Sequence, residues 1–542
     1  MQNGKGYDYV IVGAGSAGCT LAYRLGEDKD VRILVLEAGG WDKDPWIHMP
    51  LGWGKLLEQR RHDWMYFTEP EPNMANRKIE CARGKVVGGS SSINAMAYVR
   101  GHRGDYDRWR QMGLTGWSYA DVLPYFKRAE SWEGGENTFH GGGGPLTTRK
   151  TRFQDTSVDA YIEAGKDAGY GYTDDYNGAQ QDGFCHIQQT IRNGKRCSAA
   201  VAYLMPALRR GNVKLEIEAL ATRIMFENNR AVGIEYVKDG KTQLARAERE
   251  VILSGGVINS PQLLMLSGVG APEELREHGI EVKVALKGVG KNLQDHVSGI
   301  LEYTRKDTGT FKKNMRLDRL AVSLPMAHYF GQGFAADLPS GMMAFVKTRP
   351  GLEMPDMQFL FRALPIHGKP YMPIFGGWED GFGIRPAVLR PESKGSLKLA
   401  SADPRAPIRI HQNFLQSDND LRTLHTGFKM LRDLAEKPAL KRIIDKEIAP
   451  GPGVKSDAEI DAHLRKTSAT VHHPLGTCKM GIDDEAVVGP DCKVRGIERL
   501  RVVDASVMPD LVGGNINAPV IMIAEKASDM IRSRTPLPAA AV

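Results

Sequence analysis

The chain has 542 residues, 42% of them apolar, enough to bury one large or two ordinary cores, and 72 Lys and Arg against 65 Asp and Glu leave a net charge of +7. That charge is dispersed, with no basic run of five and no acidic tail, so nucleic acid is excluded as an expected partner. Six cysteines without a CxxC pair read as reduced thiols of a cytoplasmic protein, and no run of 18 apolar residues offers a spanning helix, which leaves peripheral contact with an inner membrane open.

The first elements are read from "YDYVIVGAGSAGCTLAYRLGEDKDVRILVLEAG". The residues ahead of it lack an apolar segment with a small-residue cleavage site, so no secretory signal is expected. Tyr7 to Val12 reads as a strand, Gly13, Gly15 and Gly18 follow at GxGxxG spacing, Ala17, Leu21 and Leu25 recur at helical spacing, and Val31 to Leu36 is a second strand ending at Glu37. Gly13 permits the sharp turn, Gly15 lets backbone N–H groups approach a pyrophosphate, and Gly18 lets helix and strand pack closely. Glu37 can accept hydrogen bonds from ribose hydroxyls. The motif alone does not separate NAD from FAD.

The next stretch, "ARGKVVGGSSSINAMAYVRGHRGDYDRW" (82 to 109), offers many hydroxyl and backbone donors to a phosphate or a polar ring edge, although a plain Ser/Gly surface loop fits its composition as well. Between 301 and 463, "PDMQFLFRAL" and "GSLKLAS" read as strands and "DNDLRTLHTGFKMLRDLAE" as a helix. Met326, Met342, Met343, Met354, Met357, Phe359, Phe361, Tyr371, Phe375 and Trp378 fall in or near this region; most are expected in the core and some on a pocket wall.

"HHPLGTCKMG" (472 to 481) brings two histidines and a cysteine together, which suits a metal site, a nucleophile with its base, or an acid/base group. A metal needs three or four ligands and no further Cys/His cluster supplies them, so none is expected. Nothing marks Cys478 as a depressed-pKa thiol. A histidine, with an ordinary pKa near 6.5, suits proton transfer.

Five blocks carry a resemblance: "GKVVGGSSSINAMAYVRG" (84 to 101), "GVINSPQLLMLSGVG" (256 to 270), "GVGKNLQDH" (288 to 296), "VHHPLGTCKMG" (471 to 481) and "LRVVDASVMPDLVGGNINAPVIMIAEKASDMI" (500 to 531). In this order they resemble the glucose–methanol–choline (GMC) family of FAD-dependent oxidoreductases. Val257 departs from the small residue the family favours after the glycine, and Ala221 from its more usual valine. The resemblance implies an α/β fold: a Rossmann-like FAD domain from 1–155, 196–300 and 464–542, interleaved with an α+β substrate domain from 156–195 and 301–463, a mixed sheet flanked by helices. It implies FAD held by Gly13, Gly15, Ser16, Ala17, Gly18, Glu37, Ala38, Gly89, Asn94, Ala95, Met96, Ala97, Ala221, Asp504, Ala505, Asn517 and Pro519. Ile93 stands where relatives with covalent FAD carry histidine, so a dissociable flavin is expected.

The resemblance further implies that a primary alcohol is oxidised to an aldehyde by hydride transfer to flavin N5. His473 is then the base, Asn515 holds the substrate oxygen, and Val471 and His472 form the pocket wall. A helix beginning at Pro519 directs its positive end toward the flavin; helix capping is the alternative task for the asparagines. A hydrophobic or aromatic alcohol is the first expectation for the substrate and choline the second, while a non-redox hydroxynitrile lyase is the rival on the same fold. The electron acceptor (oxygen, a quinone or another carrier) and the oligomeric state are left open.

Overall fold

Tyr7–Val12 and Ile33–Leu36 are short runs of β-branched and leucine side chains, a composition that suits strands covered on both faces. In the computed structural model, which describes residues 6–365 and 368–542, they lie side by side and parallel, Val10 opposite Leu34. Residues 1–5, at which the absence of a secretory signal was read, lie outside the described residues. Val213–Glu216 extends the parallel set on one side and the carboxyl half of Lys241–Leu253 on the other, with Leu500–Val502 beyond it. The amino half of Lys241–Leu253 turns away to pair antiparallel with Arg230–Lys238, which pairs with Leu220–Glu227. This seven-stranded sheet is therefore mixed.

Helix Ser16–Leu25 packs against the sheet and against Asn517–Ile531. The latter helix is almost wholly buried, and its two carboxylates are paired in place: Glu525 accepts from Arg24 and Arg128 at 2.7 Å each, and Asp529 from Arg128 at 2.6 Å. It starts at Asn517, two residues before the expected Pro519. Proline is tolerated throughout a first turn, where its missing N–H has no intrahelical partner, so it does not fix the first residue.

The second sheet runs Ile444–Ala449, Leu301–Arg305, Gly381–Val388, Met357–Arg362, Met342–Val346, Gly183–His186. Every pairing in it is antiparallel. Helix Asp418–Ala435 lies on it, and Gly427 makes that approach possible: a Cβ there would sit 2.5 Å from Met357. Val297–Ser298 and Ala469–Thr470, inside segments assigned above to the cofactor domain, are hydrogen-bonded in this second sheet. Two-residue strands carry no readable alternation. Met342, Met343, Met357, Phe359 and Phe361 are buried, whereas Phe375 is 83% exposed, against the expectation of a core or pocket position.

Candidate active site

A cavity of about 1370 Å3 is lined by residues of both sheets. At its nucleotide end the glycine geometry follows from backbone crowding. Gly13 has φ +100°, and a Cβ on it would lie 2.4 Å from the Ser254 carbonyl oxygen; a Cβ on Gly18 would lie 1.9 Å from the Gly13 oxygen. Gly89, at φ +54°, approaches Gly15 so closely that its Cβ would be 2.7 Å from the Gly15 Cα. Helix Ser16–Leu25 has no side-chain cap, which leaves first-turn N–H groups for an anion. Glu37 accepts from Ala14 N at 2.9 Å through one oxygen and from Gly39 N at 2.8 Å through the other. Burial outweighs these bonds and raises its pKa to about 7. Each oxygen keeps a lone pair for a sugar hydroxyl.

Ser16, Ala17, Ala38, Asn94, Ala95, Met96, Ala97, Ala221, Asp504, Ala505 and Asn517 line the same cavity; Gly18 and Pro519 do not and act behind it. Asn94 Oδ1 accepts from Met96 N at 3.0 Å and from Arg196 at 2.8 Å, and Met96 takes a left-handed φ of 57°. Ser16 donates to Asn517 at 2.7 Å, tying the first helix to the last. Asp504 accepts from Gly256 N at 2.9 Å, Ser260 Oγ at 2.6 Å and Ser506 N at 2.8 Å. The departure at Val257 is accommodated: the residue is buried and its carbonyl accepts from Thr477. Glycine cradle, uncapped helix and buried acid together fit a dinucleotide.

His473, buried at 8% exposure, lies at the other end with Val471, His472 and Asn515. Its ring is held on both sides: Nδ1 is 2.9 Å from His296 Nδ1, and Nε2 is 2.9 Å from Asn515 Nδ2. The protons can be assigned from one carbonyl. His296 Nε2 lies 3.2 Å from the Leu389 oxygen, which only accepts, so the His296 proton is on Nε2. Burial, reinforced by Arg390, holds His296 neutral, its pKa lowered to about 4, and its Nδ1 is then an acceptor. His473 must donate from Nδ1. Burial first, then His296, Arg83 and His472, keep His473 neutral, so Nε2 carries the lone pair and accepts from the Asn515 amide.

Asn515 is itself oriented, because its oxygen accepts from Gln358 at 3.4 Å and its amide N–H groups then face His473. The capping alternative falls here: Ile516 is the cap residue and makes no side-chain bond, while Asn515 and Asn517 are engaged with His473 and Ser16. Asp295 accepts from His473 N at 2.8 Å and from Thr470 Oγ1, fixing the loop. His472 lines the cavity, its Nδ1 buried without a partner, and burial beside Arg83 and Arg385 lowers its pKa to about 3. Asp295, His296 and Gln358 were missed. The first two stood inside "GVGKNLQDH", where an Asp–His pair was the available signal; Gln358 carried none. Cys478 is buried with its thiol pushed well above the usual range, and no group of three metal-ligating side chains occurs among the described residues.

The amino-terminal GMC oxidoreductase family model matches residues 7–298 and the carboxyl-terminal one residues 391–524. The chain belongs to the GMC oxidoreductase family. It is a flavoprotein that uses FAD to oxidise CH–OH groups. The mitochondrial choline dehydrogenase of Mus musculus is 44% identical, the match covering 98% of this chain and 90% of the relative. The oxygen-dependent choline dehydrogenase of Rhizobium etli is 43% identical, covering 98% and 96%. The pyridoxine 4-oxidase from Mesorbium loti superposes with a TM-score of 0.87 at 30% identity, covering 98% and 100%.

Proposed function

We propose that His473 Nε2 accepts the hydroxyl proton of a primary alcohol while Asn515 holds its oxygen. The supporting observation is the assigned lone pair on Nε2 with the Asn515 N–H 2.9 Å away. A hydroxyl that displaces this hydrogen bond donates to Nε2 and accepts from the Asn515 amide, which aims the carbinol carbon. The glycine cradle, Glu37, Asn94, Asp504 and Asn517 would hold FAD, which would supply the hydride acceptor. His473 returns the proton through the open cavity after the aldehyde leaves. On this reading the segments 1–155, 196–300 and 464–542 serve the cofactor, and 156–195 and 301–463 the substrate. Choline is the second reading, favoured by the names of the relatives at 43–44% identity. His473→Ala is the test: anaerobic flavin reduction in a single turnover should fall by about 10²–10⁴ with FAD content unchanged, and a near-parental rate would overturn the assignment.

No helix among the described residues is long and apolar enough to cross a membrane. A peripheral contact has support of its own. Helix Leu317–Pro325, the helical turn Met326–Phe330 that continues it, and the turn Pro373–Phe375 adjoin through Leu317 N, which donates to the Tyr371 oxygen, and together they expose Leu317, Val322, Tyr329, Phe330, Ile374 and Phe375. Lys313, Arg319 and Lys369 are exposed in the same or adjoining stretches of chain, a combination that suits an anionic bilayer surface. Co-sedimentation with vesicles rich in anionic lipid should be lost in Phe330→Ser/Phe375→Ser; equal binding by that variant refutes the contact.

A further inference from the structure

The wall of the cavity beyond His472 is cationic. On Met357–Arg362, Phe359 and Phe361 face the core, so by the two-residue alternation Leu360 and Arg362 face the other way. Arg385 stands directly across from Leu360 and shares that face. Leu360, Arg362 and Arg385 all line the cavity, with Arg83 approaching from the loop before the glycine pair.

Among the described residues two of these guanidiniums, Arg83 and Arg385, have no carboxylate in an ion pair. Arg385 donates to the Thr470 oxygen at 3.4 Å, makes no ion pair among the described residues, and has a buried Nε without an acceptor. Arg83 donates only to carbonyls, those of Ala82 and His472. Arg362 alone has a carboxylate, Glu302, and its Nε too is buried and unpartnered. The nearby acids are engaged elsewhere: Asp295 with Thr470 and His473, Asp63 with Arg60 and the backbone of Met65 and Arg83. Burial pulls Arg385 down to about 10, and burial together with Arg385 does the same to Arg362. A half-buried guanidinium without a carboxylate is an unsatisfied cation facing the cavity, and its fork matches a carboxylate or sulfonate in two parallel hydrogen bonds. The dinucleotide's own phosphates belong at the uncapped helix of the first sheet, whereas Arg362 and Arg385 are on the second.

We propose that the substrate is a primary alcohol bearing an anionic group, with Arg385 as its anchor and Arg362, held by Glu302, as the flank. This rests on the reading of His473 as the base. Two residues lie between Thr470, whose backbone oxygen Arg385 touches, and His473, so the backbone between them spans at most about 11 Å, a scale that suits a short ω-hydroxy acid. The anionic group is untouched by the chemistry: the carbinol C–H bond breaks, its electron pair leaves as hydride to the flavin, and the hydroxyl proton goes to His473.

Anaerobic flavin reduction by 4-hydroxybutanoate, 3-hydroxypropane-1-sulfonate, 1-butanol and choline tests this. The carboxylate or the sulfonate should exceed both 1-butanol and choline in kcat/KM by at least about 100-fold, and the faster of the two identifies which anion is used. In Arg385→Gln the ratio of acid to 1-butanol should fall toward one. Should that variant fail to fold, butanoate must still inhibit the parent competitively and butylammonium must not. Equal rates for acid and neutral alcohol, a preference for choline, or inhibition by butylammonium alone overturns the proposal. Those outcomes leave the base intact where the surviving activity still disappears in His473→Ala; activity that persists in that variant overturns the base instead.

Discussion

Removing His296 isolates the step by which a distant carbonyl sets the proton position on His473. In His296→Ala the Nδ1–H of His473 loses its acceptor in a buried site, where an unsatisfied donor costs about 1–3 kcal/mol. The ring can avoid that cost by moving the proton to Nε2, where it points into the cavity and abolishes the lone pair the alcohol needs. The productive tautomer is therefore depleted by the same energy, about 5- to 160-fold at 25 °C. Stopped-flow flavin reduction under anaerobic, saturating substrate should slow by that factor, with FAD content and the flavin spectrum unchanged. His296→Gln, whose amide oxygen can take the same hydrogen bond, should recover much of the rate. A His296→Ala enzyme within twofold of the parent, or a His296→Gln enzyme as slow as His296→Ala, would refute the tautomer argument.

The pH profile follows from the same pair. Because burial, with Arg83 nearby, depresses His473 below its usual value, the base stays neutral as pH falls from 9 through 6.5, and the rate should decline only toward pH 4, where His296 takes a second proton and stops accepting. An inflection near 6.5 that vanishes in His473→Ala would contradict this. Gly18→Ala and Gly15→Ala should separate packing from binding. The first drives a Cβ to 1.9 Å from a backbone oxygen and should destabilise the apoprotein by about 1–3 kcal/mol or more in thermal melts; the second meets nothing closer than 4.0 Å, so it should melt normally and bind FAD weakly. With Ile93 where a covalent link would require a histidine, acid precipitation should leave all of the yellow flavin in the supernatant; flavin in the pellet would count against dissociable binding.

The nucleotide half of this protein was legible because its constraints are local. Gly13, Gly15 and Gly18 have spacings set by one turn and one helix, and Glu37 ends the very next strand, so a window of about thirty residues holds the mechanics. The end proposed for proton transfer is different in kind. His473, Asn515, His296 and Gln358 come from four separate stretches, and their relation depends on hydrogen bonds that exist only once both sheets are assembled. Helix limits shifted for a related reason, since a proline in the first turn of Asn517–Ile531 permits a start at any of its first residues.

By itself the sequence determined the family and, through the family, the cofactor, since the blocks that carry the resemblance are continuous; the proposed base, His473, lies in one of them. Only the tertiary structure decided which nitrogen of His473 is free. That depends on the Leu389 carbonyl, 84 residues away along the chain, acting through His296. It also decided that Arg362 and Arg385, unremarkable among 72 basic residues, share one sheet face and line the cavity, because alternation and register, not local composition, determine where a strand's side chains point.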